Sequence, residues 1–493
     1  MKKSAYEELE ELCREVQLVT DAQALLSWDQ EVLMPKNGLE YRGRQMAWFS
    51  GWLHEKMTNP QVGDWIEAAE SEADRGEDAK ANLREWRHGF ERETKLPKRL
   101  VEELALAQVH AKAAWAEARE KSEFPVFAPL LENLVDLCRE QAECWGYSET
   151  PYDGLLDKFE RGSSTAALNR TLGALRESLV PIVEETTSRE PFDRSVLEGR
   201  YAIEKQEAFN REVAESIGFD FDAGRIDTAV HPFCSGMGPG DTRLTTRYDE
   251  NDFLSSLFGV LHEAGHGLYE QGLKVENRGL PIGNAVSLGI HESQSRLWEN
   301  HVGRSRSFWE KWLPVAASYF PNLSGISVDT MFEAVNQANL SYIRVESDEV
   351  TYDLHVLLRF EIEKMIFSGE LAIKDIPEAW NERFESYFGM PVDRDANGCL
   401  QDIHWSLGIF GYFPTYSLGN INAAHLAAAA KKDLPVKAAM DRGDYAPLLG
   451  WMREKIHQRG SVLLPNDLIR EATGEDASPA ALVTHLRERY LPV

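Results

Sequence analysis

The sequence predicts a mainly α-helical protein with one small β-sheet. Over most of the chain, apolar residues recur at three- and four-residue spacing among abundant Ala, Glu, Lys and Arg, which is typical of amphipathic helices. One stretch, 225–248, differs, because it is rich in Gly and Pro and then runs through β-prone residues. The sequence shows no Pro/Gly/Ser-rich linker, low-complexity block or short repeat, so we expect residues 1–493 to form one helical body.

The helical periodicity is clearest in a series of segments that we predict to be helices: residues 3–18, about 62–93, 98–122, 126–146, 164–188, 203–217, 328–340 and 350–368. Between them, residues 225–248 are expected to form short strands, one of which enters directly before the next helix. An exposed edge of this sheet could hold an extended peptide by backbone hydrogen bonds. The alternative is a plain structural hairpin.

Composition describes a large protein with a strong negative charge. The 493 residues are 43% hydrophobic and 27% charged, enough for a substantial core. The formal net charge of −28 repels phosphate backbones and anionic lipids, so neither nucleic acid nor a membrane is an expected partner. The N-terminus has no apolar segment typical of a secretory signal, and no apolar run approaches the ~18 residues that span a bilayer. Scattered cysteines indicate free thiols, and we expect a cytoplasmic protein.

The most informative motif is the HExxH pattern at 262–266. On a helix, His262 and His266 lie one turn apart on the same face, so both imidazoles can reach one metal ion. Glu263 lies about 100° around the helix, where it can take a proton from water at the metal without being a ligand. The alternative is a helix with two ordinary histidines, one partly buried and one solvated.

The residues around this motif favour a buried helix that begins after residues 249–252 and ends before Gly272. Acidic and amide residues at 249–252 are suitable N-caps, apolar residues recur at helical spacing, and Gly272 is a candidate C-cap. Gly265 and Gly267 are poor helix formers. Their presence suggests that another element packs close to the backbone beside the second histidine.

A catalytic zinc site needs a third protein ligand and leaves one position open. After a break at 274–284, a second helix is predicted over 285–298, and the break is long enough for this helix to return alongside the first. Glu292 on it is the best candidate for the third ligand. His291 is the rival, although its direction suits a contact with a neighbouring ligand. Alternatively, Glu292 is a surface carboxylate paired with Arg296 at i+4.

Motifs along the chain follow a recognisable order: DxRxT at 241–245, HExxH at 262–266, HESQ at 291–294, an IRxxAD-like motif at 343–348 with Ser347 in place of Ala, and GxxQDxHW at 398–405. In these motifs, and in the aromatic run at 410–416, the chain resembles the carboxypeptidase Taq family of zinc-dependent carboxypeptidases. The likeness spans nearly the whole chain. Five ordered motifs are far more specific than HExxH alone.

The resemblance implies that His262, His266 and Glu292 bind the metal and that Glu263 is the catalytic base. It also implies a two-lobed helical fold like that of neurolysin and angiotensin-converting enzyme, with a deep central groove and a metal-binding core over about 225–420. Zn²⁺ is the expected cofactor, with Co²⁺ or Mn²⁺ as substitutes. Peptides with a free C-terminus are the expected substrates, and members of the family commonly form homodimers.

Two further groups of residues are candidates for the chemistry. His404, Tyr412 and Tyr416 can each donate a hydrogen bond to an oxyanion without carrying a negative charge. The alternative for the tyrosines is packing in the groove wall.

A carboxypeptidase also needs a cation for the free α-carboxylate of its substrate. Arg344 is our first candidate and Arg243 our second, because the guanidinium group binds carboxylates with two hydrogen bonds. Arg344 could instead pair with Asp348 at i+4. Gln401 is a weaker candidate for binding the substrate backbone.

The same residues are compatible with other functions. A zinc oligoendopeptidase or dipeptidyl-carboxypeptidase would have the same metal centre and differ only in how it binds the substrate terminus. A non-catalytic helical peptide-binding protein with a structural zinc is the alternative from another class. The presence of Glu263 argues against it, because a structural site has no use for a base.

Overall fold

The computed structural model describes residues 3–72, 75–190 and 192–491. Within these ranges the chain forms twenty α-helices and one three-stranded sheet, so the predicted fold class is confirmed. The helices are α1 (Ala5–Val32), α2 (Leu39–Met57), α3 (Pro60–Ser71), α4 (Glu77–Thr94), α5 (Lys98–Lys121), α6 (Phe124–Trp145), α7 (Pro151–Leu156), α8 (Thr165–Thr187), α9 (Ile203–Ser216), α10 (Phe253–Gly272), α11 (Leu288–Arg296), α12 (Arg306–Tyr319), α13 (Val328–Val335), α14 (Tyr352–Ser368), α15 (Ile376–Phe388), α16 (Pro414–Asp433), α17 (Val436–Met440), α18 (Ala446–Lys455), α19 (Pro465–Thr473) and α20 (Ala480–Tyr490). The strands are β1 (Gly224–Thr228), β2 (Cys234–Gly238) and β3 (Asp241–Thr246).

Most predicted helices are found with nearly the predicted ends. The segments 98–122, 126–146, 164–188, 203–217 and 350–368 correspond to α5, α6, α8, α9 and α14. The helix predicted over 328–340 ends earlier, as α13, because the side-chain amide of Asn336 donates a hydrogen bond of 2.9 Å to the carbonyl of Phe332.

Two other predicted helices differ in extent. The helix predicted over 3–18 continues to Val32, since α1 persists through a stretch with few buried side chains, where apolar periodicity gives no signal. The segment 62–93 divides into α3 and α4, because Gly76 adopts an extended conformation directly before α4. Residues 73 and 74 of that prediction lie outside the described residues.

The helix predicted around the HExxH motif is α10. Its N-cap is Asp252, whose carboxylate accepts a hydrogen bond of 3.0 Å from the backbone N–H of Leu254. Gly272 is the last helical residue and not the predicted C-cap. A glycine is required there for packing instead, because a Cβ on Gly272 would lie 2.7 Å from the Cβ of His457.

The strand that enters α10 is the centre of the sheet. β3 pairs in parallel with β1 and antiparallel with β2, and a bulge between Gly236 and Gly238 distorts the second pairing. The strand predicted before α10 is therefore present as β3, but it is not an exposed edge. Only β1 and β2 are edges, and β2 packs against α1. A peptide-binding edge stays a prediction for these two strands.

The core of the molecule comprises two large hydrophobic clusters. One is built mainly from α5–α8, α14, α15, α20 and residues 399–413, and the other mainly from α9–α13 and α17–α19. α16 belongs to both, since it contributes Ile421 to the first core and Leu426 to the second. A smaller cluster joins α1, α3 and α4 to residues 280–282. The candidate metal ligands and Glu263 lie on α10 and α11, which pack against each other, and α11 also packs against α16.

The described residues also bear on two predictions from composition. All five cysteines are free thiols, as expected. No helix in the described ranges combines the length and apolar character needed to cross a membrane.

Candidate active site

α10 and α11 bring the two histidines of the HExxH motif together with Glu292. The Nε2 atoms of His262 and His266 lie 3.6 Å and 3.5 Å from one carboxylate oxygen, Oε2 of Glu292. Donor atoms from the three residues all lie within 4.8 Å of one another. Ligands bonded at about 2.1 Å to a tetrahedral ion are separated by about 3.4 Å. The spacing of the donor set therefore fits a divalent metal ion held by three protein ligands.

Two glycines allow three helices to meet at this donor set. A Cβ on Gly265 would lie 2.6 Å from the Cα of Ser295, so α10 and α11 approach this closely only because residue 265 has no side chain. The close contact predicted beside the second histidine is therefore confirmed. On α16, a Cβ on Gly419 would lie 2.7 Å from the Cβ of Glu292. α16 thus forms the wall behind Glu292.

The ring nitrogens that face away from the donor set are also in contact with polar groups. His262 Nδ1 lies 2.9 Å from Glu299, and His266 Nδ1 lies 2.6 Å from His291 Nδ1. His291 Nε2 lies 3.0 Å from Glu270. These contacts orient both Nε2 atoms towards the donor set. His291, the rival third ligand, lies behind His266 instead.

Glu270 and Glu299 were not predicted from the sequence. The sequence spacing could have indicated both. Glu270 follows His266 by four residues and Glu299 follows Glu292 by seven, so each falls on the same helix face as a candidate ligand. The chain beyond α11 continues as a π-helical turn, Leu297–Gly303, which carries Glu299 to His262. Such turns are rare and frequent at functional sites.

Glu292 faces two partners at once. It is 8% exposed, and its Oε1 accepts a hydrogen bond of 2.7 Å from Nε of Arg296 while Oε2 faces the histidines. The alternative pairing with Arg296 is thus present, but in the interior and not at the surface. Burial raises the pKa of Glu292, yet the charges of Arg296 and His262 hold it well below the ordinary value. The carboxylate is therefore ionised and able to bind a cation.

Glu263 is positioned differently from the ligand candidates. It is 6% exposed, and burial raises the pKa of its carboxyl to about 7. Among the described residues, the neighbours that shift this pKa most are His262, Glu292 and Glu299, and they act through their charges and not through hydrogen bonds. A carboxyl that is uncommitted and titrates near neutral pH can both accept and return a proton.

His404, Tyr412 and Tyr416 are brought together beside α16. Nε2 of His404 lies 3.3 Å from the hydroxyl of Tyr416, and the two tyrosine rings lie 5.4 Å apart. Burial lowers the pKa of His404 to about 4, so its imidazole is neutral. Burial and the nearby charge of Glu292 raise the pKa of Tyr412. These groups are therefore neutral hydrogen-bond donors close to the candidate metal ligands.

Arg344 is buried and pairs with Asp402, not with Asp348 as the alternative predicted. Its Nη2 lies 2.8 Å from Asp402 Oδ1, and its Nη1 donates a hydrogen bond of 2.7 Å to the hydroxyl of Tyr352. The reason is local: residues 344–346 form a 3₁₀ turn, and Asp348 instead accepts backbone hydrogen bonds. Arg359 Nε binds the second Asp402 oxygen at 2.6 Å. Two arginines therefore share one carboxylate, which leaves one net positive charge.

The other two predicted substrate-binding residues have partners elsewhere. Arg243 forms two hydrogen bonds of 2.8 Å with Asp241 and stacks 4.4 Å from the ring of Trp28. The side chain of Gln401 accepts a hydrogen bond of 2.9 Å from the backbone of Arg344 and donates to backbone carbonyls, the shortest at 2.9 Å. Because its amide is already used, Gln401 suits positioning of Arg344 better than direct contact with substrate.

A second His-Glu-His cluster resembles the first in composition only. His301, Glu349 and His485 also lie within 4.8 Å of one another. Here, however, His485 Nε2 lies 2.8 Å from Glu349 Oε1, which is a hydrogen-bond distance. The other oxygen of Glu349 is bound by Arg489 at 3.1 Å and Tyr490 at 3.0 Å. Because Arg489 already neutralises Glu349, this cluster is a structural network joining α20 to the chain before α14.

The chain is similar to known proteins over its full length. The family model described as Carboxypeptidase Taq (M32) metallopeptidase matches residues 8–490. Thermostable carboxypeptidase 1 of Thermus thermophilus is 42% identical, with 99% of this chain and 98% of that protein covered. Carboxypeptidase 1 of Bacillus subtilis is 38% identical, with 97% of each chain covered.

Solved structures show the same likeness. The M32 carboxypeptidase from Deinococcus radiodurans R1 superposes with a TM-score of 0.96 at 36% identity, covering 99% of this chain and 98% of that one. A carboxypeptidase of Pyrococcus furiosus superposes with a TM-score of 0.95 at 34% identity, with 99% of each chain covered. By sequence and by fold, the chain belongs to the carboxypeptidase Taq (M32) family of metallopeptidases.

Proposed function

We propose that this protein is a metal-dependent carboxypeptidase that hydrolyses the last peptide bond of its substrate and releases single C-terminal amino acids. The observation that carries the proposal is the donor set of His262, His266 and Glu292 next to the uncommitted Glu263. The family membership supports the same reaction.

His262, His266 and Glu292 would hold the metal, and their nitrogen and oxygen donors favour Zn²⁺, with Co²⁺ or Mn²⁺ as alternatives. A divalent ion bound there would supply a Lewis acid that polarises the scissile carbonyl and makes water more acidic. Glu299 and His291 would fix the histidine rings.

The remaining chemistry belongs to the side chains. Glu263 takes the proton from the attacking water and gives it to the leaving amine. His404, Tyr412 or Tyr416 donates a hydrogen bond to the oxyanion that forms at the carbonyl. A preorganised donor of this kind contributes roughly 3–4 kcal/mol to transition-state stabilisation.

The Arg344 cluster would bind the terminal carboxylate. Its two arginines and one carboxylate leave one positive charge, which an incoming α-carboxylate would balance. Tyr352 links Arg344 to the candidate metal ligands. Its hydroxyl accepts a hydrogen bond from Arg344, and its ring lies 4.6 Å from Arg296, the partner of Glu292. Arg243 is the second choice, since Asp241 already neutralises it.

Paired substrates test this proposal. The protein should release the last residue of a peptide with a free C-terminus and leave the matching C-terminal amide intact. Arg344→Lys, which loses the planar fork, should lower kcat/KM for the free peptide by about 10- to 100-fold while retaining metal. Arg176→Lys is the matched control and should behave as wild type, because the Arg176 side chain on α8 is 41% exposed and pairs with Glu361.

Other products would identify the competing functions. Equal cleavage of both peptides would favour an oligoendopeptidase, and release of dipeptides would favour a dipeptidyl-carboxypeptidase. Binding without cleavage would favour a peptide-binding protein with a structural zinc. The deep groove, the homodimer and the cytoplasmic location stay predictions.

A further inference from the structure

Glu363 on α14 is a fully buried carboxylate outside the site described so far. Three groups donate hydrogen bonds to it: the hydroxyl of Tyr152 at 2.6 Å, the indole N–H of Trp405 at 2.8 Å and the backbone N–H of Gly411 at 2.9 Å. All three donors are uncharged, and although the charge of nearby Arg359 lowers the pKa of Glu363, burial outweighs it and raises this pKa to about 7. A buried carboxylate of this kind is costly and calls for a role.

Two of these donors bracket one loop. Trp405 directly follows His404, and Gly411 directly precedes Tyr412. Trp405 binds one oxygen of Glu363 and Gly411 binds the other. A single carboxylate thus holds both ends of the segment 405–411, and both tied residues are neighbours in sequence of proposed oxyanion donors.

The loop depends on such ties because its backbone turns sharply. Gly408 and Gly411 both adopt positive φ, at 63° and 87°. A Cβ on Gly411 would lie 3.0 Å from the backbone carbon of Leu155 in α7, so the loop is pressed against that helix. α14 holds the chain at a further point, since Arg359, one turn before Glu363, binds Asp402.

We propose that Glu363 is a positioning residue for peptide hydrolysis, which fixes His404 and Tyr412 by tying the two ends of the loop between them. The inference rests on the proposed function, because it gives these two side chains work in the reaction. Glu363 itself is fully buried, so it would not touch the substrate. Its effect should therefore appear in kcat, where the donors act on the transition state, and much less in substrate binding.

Glu363→Gln is the direct test. The variant keeps the size of the side chain but replaces one acceptor oxygen by an NH₂ donor, which opposes the N–H of Trp405 or Gly411. We expect kcat to fall by about 10- to 100-fold, because small displacements of catalytic groups have effects of this size. KM and bound metal should stay within about twofold of wild type. An unchanged kcat would overturn the proposal.

Tyr152→Phe is the matched control. It removes the third donor to the same carboxylate but leaves both loop ties in place, so it should retain kcat within about twofold even if it lowers stability. A loss of kcat in Tyr152→Phe equal to that in Glu363→Gln would show that the loop ties have no special role. Should Glu363→Gln fail to fold, Trp405→Phe removes one loop tie without changing the carboxylate, and the same fall in kcat is expected.

Combination with Tyr412→Phe separates this inference from the proposed function. If Glu363 acts through the loop, the two losses in kcat should not multiply in the double variant. Fully multiplicative losses would overturn the inference. If wild type is active and Tyr412→Phe and His404→Gln are equally active, the proposed oxyanion donors are wrong. A loss of kcat in Glu363→Gln cannot then come from positioning them, and the inference is overturned. An inactive wild type would overturn the proposed function itself.

Discussion

At the scale of single residues, burial decides how Glu263 and Glu292 differ. Both carboxyls are nearly inaccessible to solvent, but only Glu292 has a neighbouring arginine. The pKa of Glu292 is therefore held well below its ordinary value, while that of Glu263 rises to about 7. One carboxylate is suited to holding a cation and the other to moving a proton.

Glu263→Gln tests this division of roles. Gln has the same shape as Glu but cannot act as a base, so the variant should retain its metal and lose activity by about 10²- to 10⁴-fold. Elemental analysis and kcat on a free peptide provide the two measurements. Turnover close to that of wild type would remove Glu263 from the mechanism.

Spacing along the chain predicted the residues of one helix better than contacts between helices. HExxH places His262 and His266 on one face without further information. For Glu292, spacing left a metal ligand and an ion pair with Arg296 as alternatives, and the structure shows one carboxylate oxygen directed to each. The Asp402 partner of Arg344 is 58 residues away, which no local pattern can indicate.

At the scale of elements, glycines set the distance between the helices that carry the site. Gly419→Ala should push α16 away from Glu292, because the added Cβ would lie 2.7 Å from the Cβ of Glu292. We expect overpacking to destabilise the protein by about 1–3 kcal/mol and to weaken metal binding. Gly450→Ala in α18 is the matched control.

Gly450 is also in the middle of a helix, but nothing lies within 4 Å of an added Cβ there. Its replacement should stabilise the helix by about 0.5–1 kcal/mol. Melting temperature and competition with a metal chelator measure both effects. Equal behaviour of the two variants would contradict the importance of the α11–α16 contact.

Glu160 joins the loop after α7 to the start of α11. Its carboxylate accepts hydrogen bonds of 3.0 Å from the backbone N–H of Gly289 and the hydroxyl of Ser287, and burial raises its pKa to about 7. The pKa of Glu160 in the unfolded chain is about 4.3, so between about pH 4.3 and pH 7 the folded protein binds one more proton than the unfolded chain. The free energy of unfolding therefore falls as pH rises through this range, by at most about 1.4 kcal/mol per pH unit.

Residue 160 cannot titrate in Glu160→Gln, and all other carboxyl groups are common to the variant and wild type. The difference in stability between the two proteins therefore reports the titration of Glu160. The melting temperature of wild type relative to Glu160→Gln should decrease from pH 5 to pH 7 and become constant above about pH 7. A difference that is independent of pH would show that Glu160 is ionised in the folded protein throughout this range.

Elements with a strong local pattern of apolar residues could be predicted, and those that depend on contacts across the chain could not. α5, α6, α8 and α9 are amphipathic helices, so their apolar spacing gives both class and ends. The break at Gly76 and the extension of α1 beyond residue 18 have weak apolar signals, because few side chains there are buried. The order of the strands depends on pairing across the chain, which alternation within a strand cannot indicate.

At the scale of the whole molecule, the site lies where two hydrophobic cores meet. α16 belongs to both cores, Glu292 packs against it through Gly419, and the loop tied by Glu363 leads into it. Composition and periodicity predict a large helical body, but not the two large hydrophobic clusters of its core. Contacts between residues hundreds of positions apart create them, and these are not visible in local patterns.

The most direct test of the account is the metal content of the purified protein, measured together with activity. We expect about one divalent ion per chain, loss of both metal and hydrolysis on chelation, and recovery of both with Zn²⁺. The metal-loaded form should also melt at a higher temperature, because the ion binds only the folded state. Glu292→Ala should bind the metal far more weakly. Full activity in protein that holds no metal after exhaustive chelation would contradict the central claim.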